Sequence, residues 1–187
     1  RPVKNTKSSP HTKSMVTFLM PFAIQSIAVT SLYSSDVILV KHFFPAYEAG
    51  IYAALSTLGK IIFFGAGPIS AVMFPLVSQR NARGQTHKKI FIYSFFATIL
   101  LAASILLVYW LYPQLAIKLL FGIKYLEAAN LLVWYGVFIS LFTLSSLLIS
   151  YGLSLGKTSI VILPLAAALA QIIMIWFFHQ TLFVVVF

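Results

Sequence analysis

Two ionisable side chains, Asp36 and Lys60, stand inside long apolar runs. A charge near the centre of a bilayer costs about 2.5 to 3.5 kcal/mol on insertion scales, so such a residue faces a wet cavity or a partner. Lys60 lies about eleven residues into its run, roughly 16 Å at 1.5 Å per helical residue, and Asp36 about eight residues, roughly 12 Å, into its own. Two antiparallel neighbours would bring them together. Two readings stay open: a buried ion pair or snorkelling lysine that only orients helices, or a lysine that offers positive charge to an anionic substrate while Asp36 tunes it or carries a coupling cation. Polar residues at helical spacing extend the second reading. Ser26, Thr30, Tyr33 and Ser34 recur every three or four positions on one run, and Ser56 with Lys60 does so on the next. Gln25 and Gln171 also fall within apolar runs and fit a hydrated pathway. Each set alone also fits lipid-facing hydroxyls that bond their own helix carbonyls.

Enzymatic signatures are thin. The chain has no His-Glu-x-x-His, no Gly-x-Ser-x-Gly, no phosphate-binding glycine loop and no close acidic pair for a metal. His11, His42, His87 and His179 fall in loops or at helix ends, where a solvated role is expected. Without cysteine there is no thiolate metal site and no thiol nucleophile. Gly152 and Gly156 form a Gly-x-x-x-Gly beside a loop, a pattern that is more often incidental than a helix-packing motif.

The elements that must position these residues follow from composition. Of 187 residues 60% are apolar and 9% charged, against about a quarter charged in a soluble domain. Thirteen Lys and Arg against three Asp and Glu give a net charge of +10. The bases sit between apolar runs rather than on one polar face, which argues against a nucleic-acid partner. With about 20 residues per span, the chain has room for five or six transmembrane helices. The expected organisation is a leader, residues 1–14, and a helical lobe, residues 15–187. Its spans are expected at about 15–44, 49–78, 90–112, 128–153 and 158–178, with a partial helix at 182–187. Backbone groups in lipid must bond within their own segment, so each span is expected as a helix and the fold as an all-α membrane bundle. The first residue, Arg1, and the apolar last residues are expected to belong to a longer protein.

Charge on the connections predicts orientation. Arg1, Lys4, Lys7 and Lys13 lie in the leader, Arg80, Arg83, Lys88 and Lys89 in the second connection, and Lys157 in the fourth; Lys41, Lys118 and Lys124 fall on the other side. The positive-inside rule then makes residues 1–14 and 79–89 cytoplasmic. Pro21, Gly67-Pro68, Pro75 and Pro164 are candidates for bending their helices, against the alternative that proline is simply frequent in membrane helices, with Gly67 and Pro68 the best hinge candidates. The segment Gln114 to Tyr125 is expected to lie along the outer interface. Glu48 is expected near the start of the second helix, where a negative charge is favourable.

Ser35-Asp36-Val37-Ile38-Leu39-Val40-Lys41-His42-Phe43-Phe44, Glu48-Ala49-Gly50-Ile51-Tyr52-Ala53-Ala54, Leu58-Gly59-Lys60 and Val72-Met73-Phe74-Pro75-Leu76-Val77-Ser78 together resemble one family. It is the polysaccharide-biosynthesis branch of the multidrug, oligosaccharidyl-lipid and polysaccharide exporter superfamily, which includes the O-antigen and capsule-repeat flippases of the Wzx type. The resemblance is strongest over residues 35–83, and the order of helices and loops agrees over the rest. It implies two pseudo-symmetric lobes, with this chain similar to the second and an N-terminal lobe as its partner. It further implies a lipid-linked oligosaccharide as substrate, alternating access between lobes, and a bacterial inner membrane. Proton or sodium coupling occurs in relatives, with no other cofactor, and polysaccharide polymerase machinery is a further expected partner. Asp36 and Lys60 carry over only as residues of the substrate cavity. A cation-coupled multidrug exporter and a peptidoglycan-precursor flippase share the architecture. A membrane glycosyltransferase, with its catalytic acid among Asp36, Glu48 and Glu127, is the alternative from another class, and divalent-metal-dependent sugar transfer would favour it.

Overall fold

In the computed structural model of the chain residues 10–186 are described, and over that range every regular element is helical. α1 spans Pro10–Phe43, α2 Ala46–Ala82 and α3 Lys88–Leu111. The short α4, Pro113–Phe121, and a 3-10 segment, Ile123–Ala128, lead into α5, Ala129–Ser154. A second 3-10 turn, Thr158–Val161, opens α6, Ile162–Phe177, and α7 covers Leu182–Val186. Five of these helical segments are long and apolar enough to cross a membrane, so the chain is a multi-pass membrane protein. A helix covers most of each segment expected as a span. Residues 1–9 of the expected leader lie outside the described residues, and residues 10–14 already belong to α1.

Local chemistry explains the boundaries. Proline restricts the residue before it to extended backbone. Tyr112, with φ −134° and ψ 51°, therefore ends α3, and Pro113 opens α4 where a missing N–H costs nothing. Lys118 and Gln114 on this short helix are exposed beside apolar neighbours, as an interfacial segment requires. Gly156, at φ +79°, takes the left-handed conformation that turns the chain after α5. Glu48 stands in the first turn of α2, but the residue that precedes the helix is Pro45 and no side chain caps it. Of the two readings of Pro164, a bend and a proline that leaves the helix straight, the structure supports the second. Pro164 sits in the first turn of α6, directly after the 3-10 turn, where N–H groups have no helical partner to lose. α1 and α2 run on through Pro21, Pro68 and Pro75.

α2, α3 and α5 pack as a triad, and α1 pairs mainly with α6 while touching α2. At 37 residues α2 is roughly 55 Å long, against about 30 Å of hydrocarbon, so it projects beyond the lipid. One end of the bundle carries exposed Arg80, Arg83, Lys88, Lys89 and Lys157 and is called the basic end here. The opposite end carries α4, with Trp110, Tyr112, Trp134 and Trp176 exposed around it, the side chains that favour a membrane–water interface. The main core, including Val40, Leu55, Leu58, Ile117 and Leu132, lies toward the α4 end. A much smaller cluster, Met73, Val77 and Leu147, closes the basic end.

Candidate functional site

Three layers follow one another from the α4 end toward the basic end. The first is built on Asp36, which is 3% exposed. The Tyr52 hydroxyl of α2 and the Tyr135 hydroxyl of α5 both donate to its Oδ2 at 3.0 Å, and the Val37 N–H donates to Oδ1 at 2.8 Å. The two tyrosine rings meet edge to face with centroids 5.8 Å apart. A buried carboxylate needs such donors to offset lost hydration, and here they come from the two helices that α1 would otherwise only brush against. The close approach depends on Gly59: a Cβ there would lie 2.5 Å from Tyr135 ring atoms. Ser56 is buried beside the Tyr135 hydroxyl, with its Oγ outside hydrogen-bonding geometry.

Lys60 begins the second layer. It lies within electrostatic reach of Asp36, yet the hydrogen bonds on that carboxylate come from the tyrosines and from Val37. The Lys60 ammonium instead sits 5.7 Å from the centroid of the Tyr33 ring, a cation–π distance. Tyr33 in turn packs against Phe63 and Phe64, and Phe63 against Phe142, with centroid separations of 5.6 Å for Tyr33–Phe63 and 5.2 Å for Phe63–Phe142. Lys60 is half-buried, and a direct ion pair is not what positions it.

The third layer is a cavity of about 500 Å³ between α1, α2, α3 and α5. Gln25 and Ser26 line it from α1, Gly67 and Ser70 from α2, and Ser146 and Ser150 from α5. Phe22 and Phe74, edge to face at 5.1 Å, join α1 to α2 on its wall. Thr98 and Thr143 also face it, with their hydroxyls donating to their own helix carbonyls at Ser94 and Ile139. The Gln25 Oε1 is buried with no hydrogen-bond partner. Beyond the cavity, the His87 ring and Tyr151 hydroxyl meet at 3.0 Å and Phe91 stacks on Tyr151 at 4.1 Å, tying the start of α3 to the end of α5.

The sequence-predicted residues therefore fall into separate places. Gln25, Ser26 and Gly67 share the cavity; Asp36 and Ser56 belong to the buried polar cluster; Lys60 stands between. Thr30 is exposed, Ser34 half-buried, and Pro68 exposed on α2. Gln171, on α6, has a buried Oε1 with no hydrogen-bond partner. Sequence reasoning missed Tyr52, Gly59 and Tyr135. The usable signal was the spacing of Tyr52, Ser56 and Gly59, which lie at i, i+4 and i+7 on one face of α2. Gly152 was also undervalued, since a Cβ there would lie 2.7 Å from Ile160, so it seats the 3-10 turn against α5. Among the described residues no group of three or more His, Cys, Asp or Glu side chains could hold a metal ion.

The sequence profile of a family described as polysaccharide biosynthesis protein matches residues 2–130, which include α1 to α4 and both charged residues of the site. The chain belongs to that family. No curated protein and no solved structure matches it. The family match covers the helices that supply Asp36, Tyr52, Gly59, Lys60 and the α1–α2 side of the cavity, while Tyr135 and the α5 side lie beyond it.

Proposed function

We propose that this chain forms one lobe of a flippase that moves lipid-linked oligosaccharide, an O-antigen or capsular repeat, across a bacterial inner membrane by alternating access. The observation that carries the reading is Lys60. A half-buried ammonium deep in a span, resting on an aromatic ring rather than bonded to an acid, keeps its positive charge available to the phosphate of a lipid-linked sugar. The family match supports involvement in polysaccharide synthesis and export. In this reading the basic end is cytoplasmic, and a second lobe, of the kind the sequence resemblance implies, completes the pathway. Asp36 then serves mainly to fasten α1 to α2 and α5 so that Lys60 is presented at a fixed depth, and a proton or sodium gradient supplies the drive. A cation-coupled multidrug exporter is disfavoured because Lys60 would repel cationic cargo.

The test is complementation of a flippase-deficient strain by the full-length protein and its Lys60→Ala variant. The intact protein is expected to restore surface polysaccharide. Lys60→Ala, at normal membrane abundance, is expected to lower it at least tenfold and leave lipid-linked repeats in the inner leaflet. Full export by Lys60→Ala would remove the role given to this residue, and failure of the intact protein to complement would remove the flippase reading.

A further inference from the structure

Charge is spread unevenly along the bundle. Of the three acids in the chain, Asp36 is buried in the packed half, and Glu48 and Glu127 stand at the start of α2 and just before α5, at the α4 end. The basic end carries Arg80, Arg83, Lys88, Lys89 and Lys157, all exposed, and the connections that bear them contain no acid. Those two connections meet. The His87 ring and the Tyr151 hydroxyl stand 3.0 Å apart, and the Lys157 N–H donates to the carbonyl of Gly152, the residue after Tyr151, at 3.1 Å. Lys88 and Lys89 directly follow His87, so cations from both connections gather around one contact. Their level is fixed as well. The turn after α2 folds onto its own backbone, with the Gln85 N–H donating to the Arg80 carbonyl at 2.9 Å and the Gly84 N–H to the Asn81 carbonyl at 3.0 Å. Arg80 lies three residues beyond the buried Val77, and the apolar residues Ile90 and Ile160 come one residue after Lys89 and three after Lys157. Three residues are roughly 4.5 Å of helix, which puts these cations at the depth of lipid headgroups rather than out in the water. The positive-inside rule accounts for their sign but supplies no counter-charge. Lys88 and Lys89 even occupy the first turn of α3, which has no acid and where the helix dipole disfavours a cation.

We propose that the basic end is a binding surface for anionic phospholipid of the leaflet it faces, with lipid phosphates supplying the counter-charge to the two joined connections. Clusters of Lys and Arg directly beside membrane spans attract anionic headgroups, and the attraction dies away within a Debye length of the surface. A soluble acidic partner fits less well, because the cations stand at headgroup depth on short, internally bonded turns. The surface is separate from Lys60 and from the cavity, and it holds whatever the lobe transports.

The test is native mass spectrometry of the delipidated full-length protein in detergent micelles, where the direction of membrane insertion plays no part. Dioleoylphosphatidylglycerol and dioleoylphosphatidylcholine are offered at equal concentration. The anionic lipid is expected to bind about fivefold more at an ionic strength of about 0.15 M. The combined variant Lys88→Gln, Lys89→Gln, Lys157→Gln is expected to lower that preference to below about twofold, and the same three positions changed to Arg are expected to keep it. Should the Gln variant fail to fold, Lys157→Gln alone, in an exposed turn, is expected to lower the preference by about a third. Lys118→Gln with Lys124→Gln, at the α4 end, is expected to leave it unchanged. Equal binding of the two lipids, a preference unaffected by loss of the basic-end lysines, or an equal loss in the α4-end variant would each overturn the proposal. Displacement of the bound lipid by free glycerol 3-phosphate would also overturn it, since the surface would then be a site for soluble phosphate. Because the readout is lipid binding, the expected result in a protein that fails to flip would keep this surface and discard only the transport reading.

Discussion

The two halves of the bundle are built on opposite terms. Toward the α4 end, the side chains of α2, α3 and α5 pack around Leu55, Leu58 and Leu132, and within that core Tyr52, Tyr135 and Asp36 are joined by hydrogen bonds while the Ser56 Oγ is left without one. Tyr109 donates to the Leu58 carbonyl at 2.7 Å, and Tyr52 and Tyr135 converge on Asp36. Toward the basic end the same helices enclose about 500 Å³, and among the described residues the buried cluster is limited to Met73, Val77 and Leu147. A filled half holds the helices in register, and an open half leaves space and unspent hydrogen-bonding capacity. In the proposed reading the first half supplies stability and the second handles ligand, since binding regions are drawn from the less tightly packed parts of a fold.

The sharpest way to break this division is to disarm the closed half. Tyr52→Phe together with Tyr135→Phe removes both side-chain donors from a carboxylate that stays buried. A hydrogen bond to a charged group contributes about 1.5 to 3 kcal/mol, and the membrane-embedded reference state reduces such values. The double variant is expected to lose about 2 to 4 kcal/mol in denaturation by sodium dodecyl sulfate in mixed micelles. A loss below about 0.5 kcal/mol, within the range of ordinary surface changes, would mean that the Asp36 cluster does not hold the half together.

Gly59→Ala probes the same half through packing alone. The added Cβ would lie 2.5 Å from the Tyr135 ring, so the ring must move and its hydroxyl must leave Asp36 or drag the carboxylate with it. Overpacking of this kind costs about 1 to 3 kcal/mol. The same micelle titration measures it, and combining Gly59→Ala with Tyr135→Phe should give less than the sum of the two losses, because both act on one hydrogen bond. Strict additivity would show that Gly59 matters for some other contact.

What the sequence made legible follows the same divide. The long apolar helices and their order could be read because lipid forces long apolar helices with internally bonded backbones, and that requirement is written in composition. Asp36 and Lys60 stood out because charge in an apolar run is conspicuous, but their relation did not. The pairing of Asp36 with Tyr52 and Tyr135 depends on the rotation of three helices about their axes, and apolar faces turned toward lipid and toward protein look alike in sequence. Tyr135 is 99 residues from Asp36, beyond any helical spacing. The cavity was legible only in part: Gln25 and Ser26 were visible as polar residues on α1, whereas Ser146 and Ser150 lie on α5, and nothing in the sequence ties them to the α1 residues across the cavity.

The open half yields the smallest expected change in stability and the most direct test of motion. Gly67 borders the cavity, its Cβ position is empty to 4 Å, and it precedes Pro68 within an unbroken α2. Alanine in a helix is preferred over glycine by about 0.5 to 1 kcal/mol, but a Cβ before proline meets the proline ring. These oppose each other, so Gly67→Ala is expected to change stability by no more than about 0.5 kcal/mol. Its effect on export should be larger than that figure implies if α2 bends at Gly67-Pro68 during transport, because the substitution narrows the backbone freedom available beside a proline that has already removed a helical hydrogen bond. Complementation by Gly67→Ala with surface polysaccharide reduced severalfold, at unchanged micelle stability, is the expected outcome. Export at the wild-type level would show that the closed and open halves move as one body and that the cavity changes shape, if at all, through α1 and α6.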